Sequence, residues 1–209
     1  MKKILSIIFS SIFLMSSAQA GGMIGVKAGF GELEGDRTQD AKFGTASGSV
    51  DHEYGAIFAE VETGAGFSVG LEYIPIEATI DTKATTAADS HANISDHKTL
   101  YVLVPFGNLY GKIGYSHADV SVTANYNDAG ASSTVVNSHS DAIEGPMIGI
   151  GAQFDSPIPF LDVLRLETTY TDYDEMSITT TNTNGTADED TKRGEATQLT
   201  FTIAIAKSF

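Results

Sequence analysis

Residues 198–209 read Gln198-Leu-Thr-Phe-Thr-Ile-Ala-Ile-Ala-Lys-Ser-Phe209, and their alternation decides the fold. Leu199, Phe201, Ile203 and Ile205 fall on one side of an extended chain, and Gln198, Thr200, Thr202 and Ala204 on the other. That is the period of a β-strand with a single apolar face. No amphipathic helical segment accompanies it to cover that face. A strand of this kind suits a barrel wall set between lipid and a polar lumen.

Seven more segments carry the same pattern upstream. They lie at about Gly22–Gly31, Tyr54–Thr63, Phe67–Ile74, Thr99–Phe106, Leu109–Asp119, Glu144–Phe154 and Val163–Asp172. Each core approaches the ~9–11 residues a tilted strand needs to cross a bilayer. The phase of the Thr99–Phe106 segment is open on sequence; Leu100, Val102, Val104 and Phe106 make the better outward set. The expected fold is all-β, an eight-stranded antiparallel up-and-down transmembrane β-barrel.

Loop lengths alternate. Thr63–Gly66, Gly107–Asn108 and Asp155–Pro159 are short and rich in turn formers. The connections around 32–53, 75–98, 120–143 and 173–196 are long and polar. Short periplasmic turns facing long extracellular loops are the asymmetry of an outer-membrane barrel. Phe67, Phe106, Phe154 and Phe209 then fall beside the short turns, and Phe30, Tyr73, Tyr115 and Tyr170 near the long loops, as two aromatic girdles. A soluble β-sandwich is the competing reading, but it has no need of this four-against-three pattern.

The first twenty residues point to export. Lys2 and Lys3 precede an apolar run from Ile4 to about Met15, too short for a membrane span, and Ala18-Gln-Ala20 forms a cleavage site. Residues 1–20 are expected to be a signal peptide and 21–209 the barrel. Cleavage removes two of the 12 basic residues and none of the 27 acidic ones, moving the net charge from −15 to −17. Such a surface repels nucleic acid, so no nucleic-acid partner is expected. The chain has no cysteine, which excludes disulfides and thiolate metal sites.

Tyr110-Gly-Lys-Ile-Gly-Tyr115, Pro146-Met-Ile-Gly-Ile-Gly-Ala-Gln-Phe154 and Leu164-Arg-Leu-Glu-Thr-Thr-Tyr-Thr-Asp-Tyr173 resemble strands five to seven of the small OmpA-like outer-membrane β-barrel family. The last strand, with Phe201, Ile203, Ile205 and Phe209, resembles the terminal signal that the outer-membrane assembly machinery reads. Lys207 departs from that signal, which often has an aromatic there. No periplasmic domain follows Phe209, so anchoring of the OmpA kind is not expected. The resemblance implies the bacterial outer membrane as location and its lipid and lipopolysaccharide as surroundings, with an unknown extracellular ligand at the loops. No cofactor is implied.

Strand phase sends Lys27, Glu60, Glu72, Lys112, Arg165 and Glu167 into the lumen. An eight-stranded barrel is just wide enough for side chains to fill it. These charges either seal it as salt bridges or line a narrow gated pore for small solutes or ions. Five histidines, His52, His91, His97, His117 and His139, lie toward the long loops and read as solvated. His117 and His139 flank one loop and are the weak candidates for a metal pair; no metal site is expected. Ser116-His117 sits at the rim, but neighbouring strand residues face opposite ways and cannot simply form a nucleophile–base pair. A structural or surface-interaction role follows, with no enzymatic activity expected.

Overall fold

Every described segment of regular structure is a strand, and the strands close on themselves. The computed structural model describes residues 21–38, 46–75, 78–83, 88–126, 135–180 and 190–209. The expected signal peptide lies outside these residues, as do the four loop tips. The strands are β1 (Gly22–Thr38), β2 (Ala46–Glu62), β3 (Ser68–Ile74), β4 (Ala78–Lys83), β5 (Ala88–Phe106), β6 (Leu109–Tyr126), β7 (Val135–Asp155), β8 (Val163–Thr180) and β9 (Asp190–Ser208).

Neighbours in sequence pair antiparallel except β3 with β4, β9 returns to β1, and β3 and β4 both pair with β5. β3 and β4 are thus two halves of one wall strand, and the barrel has eight. The division has a visible cause. On β5 the register shifts between Ser95 and Lys98, and Asp96 adopts a φ of 52°. A bulge of this kind bends the strand and interrupts its ladder. Aspartate tolerates the left-handed region better than most residues.

The outward face divides sharply. Toward the termini it is apolar: Ile24, Val26, Ile57, Ile113, Ile148, Ile150, Leu166 and Ile203 are all exposed. Apolar side chains so uncovered along a wall are the mark of lipid contact. The belt ends at Phe30, Tyr115 and Tyr170, and Phe30 stacks on Phe201 with 5.5 Å between ring centroids. Beyond that line the outward positions turn acidic, with Glu32, Glu34, Asp51, Asp119, Asp172, Asp174 and Glu195 exposed. The preferred phase of the Thr99–Phe106 segment agrees with burial, since Tyr101 and Leu103 face inward.

The long connections differ from expectation. They are mostly paired strand: β1 and β2 stay in register out to Arg37 and Ala46, and β6 and β7 out to Tyr126 and Val135. Seven strands run 17–21 residues, about twice the length needed to cross a bilayer. Above the headgroups the outward face no longer has to be apolar, so a Ser/Thr-rich segment forms strand without the outward greasy stripe that marks it in the belt.

The turns at the opposite end are tight. Gly66 and Gly107 hold φ of 84° and 68°, open to glycine without strain. The barrel closes where Gly22 and Phe209 exchange backbone hydrogen bonds of 2.9 Å. Arginine at Ile150 or Ile203 is expected to cost about 2–4 kcal/mol near the bilayer midplane, while Glu34→Arg above the belt should cost close to nothing. Urea unfolding from lipid vesicles measures both; equal penalties would refute the assigned belt.

Candidate functional site

Among the described residues the lumen is the one place where the fold buries charge, and sheet alternation puts it there. Lys27, Glu60, Glu72, Lys112, Arg165 and Glu167 all project inward and are buried, from 2% exposed at Lys112 to 9% at Glu167. The six expected lumen residues meet in two ion-pair groups.

In the first group two lysines share two carboxylates. Lys27 Nζ donates to Glu72 Oε2 at 2.7 Å and to Glu167 Oε1 at 3.0 Å. Lys112 Nζ donates to the same two oxygens at 3.2 and 2.8 Å. In the second group Arg165 grips Glu60 bidentately, Nη1 to Oε1 at 2.6 Å and Nη2 to Oε2 at 2.9 Å. Its Nε donates to Gln153 Oε1 at 2.9 Å. Each group is electrically neutral by itself. Removing charges from water costs several kcal/mol per ion unless pairing and hydrogen bonds offset it, and here both do.

Two tyrosines lock the groups together, and sequence reading passed over both. Tyr101 OH donates to Glu60 Oε1 at 2.7 Å, while its ring lies 4.0 Å from Lys112 Nζ. Tyr110 OH donates to Glu167 Oε2 at 3.1 Å, and its ring lies 5.2 Å from the Arg165 guanidinium carbon. Each tyrosine therefore serves the acid of one group and the cation of the other, through a hydrogen bond and a cation–π contact. The signal was available: Tyr101 lies between outward Leu100 and Val102, and Tyr110 shares the parity of Lys112. Glycine makes the space. A Cβ at Gly70 would collide with the Tyr101 ring, and one at Gly151 with the Tyr110 ring.

Apolar layers bound the charges on both sides. Phe58, Val163, Ala204 and Ala206 pack with Met23 toward the short turns. Ala118, Val120, Ile143 and Tyr173 pack with Leu33, Ile94, Met176 and Ala196 toward the loops. Between the charges and that upper layer sits a neutral polar network. Tyr173 OH donates to Gln198 Oε1 at 2.8 Å, and Gln198 Nε2 donates to His52 Nε2 at 2.7 Å. Thr99 and Ser116 hydroxyls meet at 2.9 Å. A void of about 10 Å³ remains beside Arg165, Glu60 and Tyr101. That is at or below the smallest volume that holds one water.

The histidines part company. His52 and His97 turn into the upper lumen, where His97 approaches Tyr173 edge-on with ring centroids 6.5 Å apart. They are not the solvated loop residues expected of them. His117 faces outward, its Nδ1 2.8 Å from Glu144 Oε1. The β6–β7 register sets His117 opposite Glu144 and His139 opposite Val122, so His139 stands five residues further along the ladder. The two candidate metal ligands are not brought together. Among the described residues no three His, Asp or Glu side chains converge to hold a metal. Ser116 faces the lumen and His117 the exterior, as alternation requires.

No protein-family model matches the chain, and no curated protein matches it. Solved structures do. The chain is similar to the outer membrane protein AlkL in lipid bilayers at 13% identity, over 91% of this chain and 90% of that one, with a TM-score of 0.55. This chain has the fold of a small eight-stranded outer-membrane β-barrel. Ail, the attachment invasion locus protein of Yersinia pestis, covers 90% of this barrel with 99% of its own chain at 14% identity and a TM-score of 0.46. OprG from Pseudomonas aeruginosa covers 90% with 96% of its own at 11% identity and 0.47. Fold and apolar belt together make the chain a barrel of the bacterial outer membrane.

Arg165→Ala is expected to cost the barrel about 3–5 kcal/mol, because the Glu60 carboxylate is left buried without its cation. Removing both charges together, as Glu60→Gln with Arg165→Met, should recover much of that loss. Urea midpoints of the wild type and the two variants in vesicles provide the measurement. A single variant as stable as wild type would refute a buried, obligatory pair.

Proposed function

We propose that this protein is a sealed barrel with a structural or surface-interaction role, acting through its exterior and not through its lumen. The observation that carries the reading is the filled interior: six charges of net zero, two bridging tyrosines and an apolar layer on either side. An ion crossing this lumen would have to separate Lys27 and Lys112 from Glu72 and Glu167 and so leave buried charges unpaired. The strands rising beyond the belt carry outward acids to the cell exterior, where an extracellular ligand would meet them.

The acidic exterior restricts that ligand. Ail is described in complex with a heparin analogue, sucrose octasulfate. A chain of net charge −15 with acids directly above its belt repels a polysulfate, so a cationic or neutral partner fits this surface. In this reading the surroundings of the same collar are the lipid and lipopolysaccharide of the outer membrane. No enzymatic role is proposed, since Ser116 is committed to Thr99 inside and His117 to Glu144 outside. Phe209, Phe201, Ile203 and Ile205 serve as the signal for the assembly machinery in this reading, supported by the place of Phe209 at the closing seam.

The test is electrical. The wild-type barrel in planar bilayers should show little or no steady conductance. A gated porin predicts steady, ion-selective current that Arg165→Ala alters while leaving stability unchanged, and that outcome would promote the channel. For biogenesis, deleting Phe209 should lower the yield of heat-modifiable barrel in the outer membrane and leave unfolded chain in the periplasm. Undiminished yield would remove Phe209 from that role.

A further inference from the structure

The turn between β7 and β8 is unlike the other two at its end of the barrel. Thr63–Gly66 and Gly107–Asn108 are built of small or polar residues, whereas this one reads Ser156-Pro-Ile-Pro-Phe-Leu-Asp162. Phe160 at its tip is 90% exposed, the most uncovered of the large apolar residues described, and Ile158 beside it is 44% exposed. Phe160 also holds a φ of 75°, in the left-handed region where a bulky side chain is a genuine outlier.

The turn is built to keep that ring out. Pro157 and Pro159 restrict the chain on either side of Ile158. Leu161 N donates to Ile158 O at 3.2 Å, and Ile158 N donates to Ser156 Oγ at 3.1 Å. The two ends are tied to each other, Ser156 N donating to Asp162 O at 3.1 Å, and to the wall, Asp162 N donating to Ala206 O at 2.9 Å. The Asp162 carboxylate accepts from Lys207 Nζ at 2.9 Å and from Ser208 N at 2.8 Å. A strained, clamped and uncovered phenylalanine makes no sense in water, where burying the ring would be favourable and a polar residue would do as well.

Its neighbours on the wall are lipid-facing. Phe154 lies just before the turn at 44% exposure, and Phe106 and Phe209 stand at the same end at 67% and 80%. The apolar tip therefore stands at the end of the barrel where the lipid belt has its lower edge. We infer that residues 156–162 form a membrane-inserted wedge, with Phe160 and Ile158 seated among the phospholipids of the inner leaflet at their headgroup–acyl boundary. Interfacial lipid accepts an apolar ring while leaving Asp155 and Asp162 hydrated, a combination that a dry protein interface would penalise.

The chain contains no tryptophan, so one substitution gives one reporter. Phe160→Trp and, separately, Phe154→Trp are folded into phosphatidylethanolamine–phosphatidylcholine vesicles with and without brominated acyl chains. A wedge predicts blue-shifted Phe160→Trp emission that brominated lipid quenches to an extent comparable with Phe154→Trp and that aqueous iodide barely touches. Red-shifted emission quenched by iodide and not by brominated lipid would overturn it, leaving the tip free for a periplasmic macromolecule. Phe154→Trp separates this from failure of the barrel itself, since its own insensitivity to brominated lipid would show that the wall is not in the membrane. Phe160→Gly adds a sign test. Relief of the left-handed backbone alone raises the unfolding midpoint in vesicles, whereas loss of an inserted ring lowers it, and the wedge predicts the lowering.

Discussion

Closing eight strands leaves an interior that side chains must fill, and in this barrel the filling is ionic. A packed aliphatic lumen would need no partners, but every buried charge here depends on another strand. Lys27 on β1 reaches Glu72 on β3 and Glu167 on β8, Lys112 on β6 reaches the same two acids, and Arg165 on β8 reaches Glu60 on β2. Backbone ladders join only neighbours. The ion pairs span the barrel, so they fix its cross-section and the relative height of distant strands, and a register slip would face like charges or leave an ion unpaired. The glycines at positions 70 and 151 follow from this constraint, because the tyrosine rings that bridge the two ionic groups need bare backbone opposite them.

How far the sequence discloses all this depends on where the membrane lies. Within the belt a strand must be apolar on one side, so strict alternation at Leu199–Ile205 or Ile148–Phe154 gives strand, phase and inward set at once. The six lumen charges follow from parity alone. Pair identities do not, since Glu60 meets Arg165 across 105 residues and only the closed register decides that. Tyr101 and Tyr110 were legible by the same parity, but a tyrosine on a barrel strand reads first as a girdle residue and its bridging role needs the cross-section.

Above the belt the constraint vanishes, and with it the pattern. Leu33, Val120 and Ile143 face inward there while acids and small polar residues face out. The apolar stripe has changed sides: it now packs a core against water outside, as in a soluble β-barrel. Read with the lipid-belt rule, such segments look like polar loops, which is why strands of 17–21 residues register as wall cores of half that length. The same inversion hides His52 and His97, whose Asp51 and Asp96 neighbours suggest solvent while their own rings take the inward positions. The bulge at Asp96 has no sequence mark beyond its tolerance of positive φ.

The last strand shows how one departure from a pattern acquires its reason in three dimensions. Lys207 occupies a position where an aromatic would better resemble the terminal assembly signal. In the closed barrel it lies beside the β7–β8 turn, and its ammonium donates to Asp162 at 2.9 Å. That bond, with the donation from the Ser208 backbone, holds the Asp162 carboxyl below the usual carboxylate range. Two residues on, Phe209 exchanges backbone hydrogen bonds with Gly22 and completes the ladder to β1. The final three residues of β9 and its end thus fasten both neighbours, the turn on one side and the first strand on the other. An aromatic at 207 would extend the lipid-facing stripe but leave Asp162 without its cation. The chain instead keeps the charge for the clamp, and the most uncovered aromatic at that end is Phe160, carried on the turn that the clamp secures.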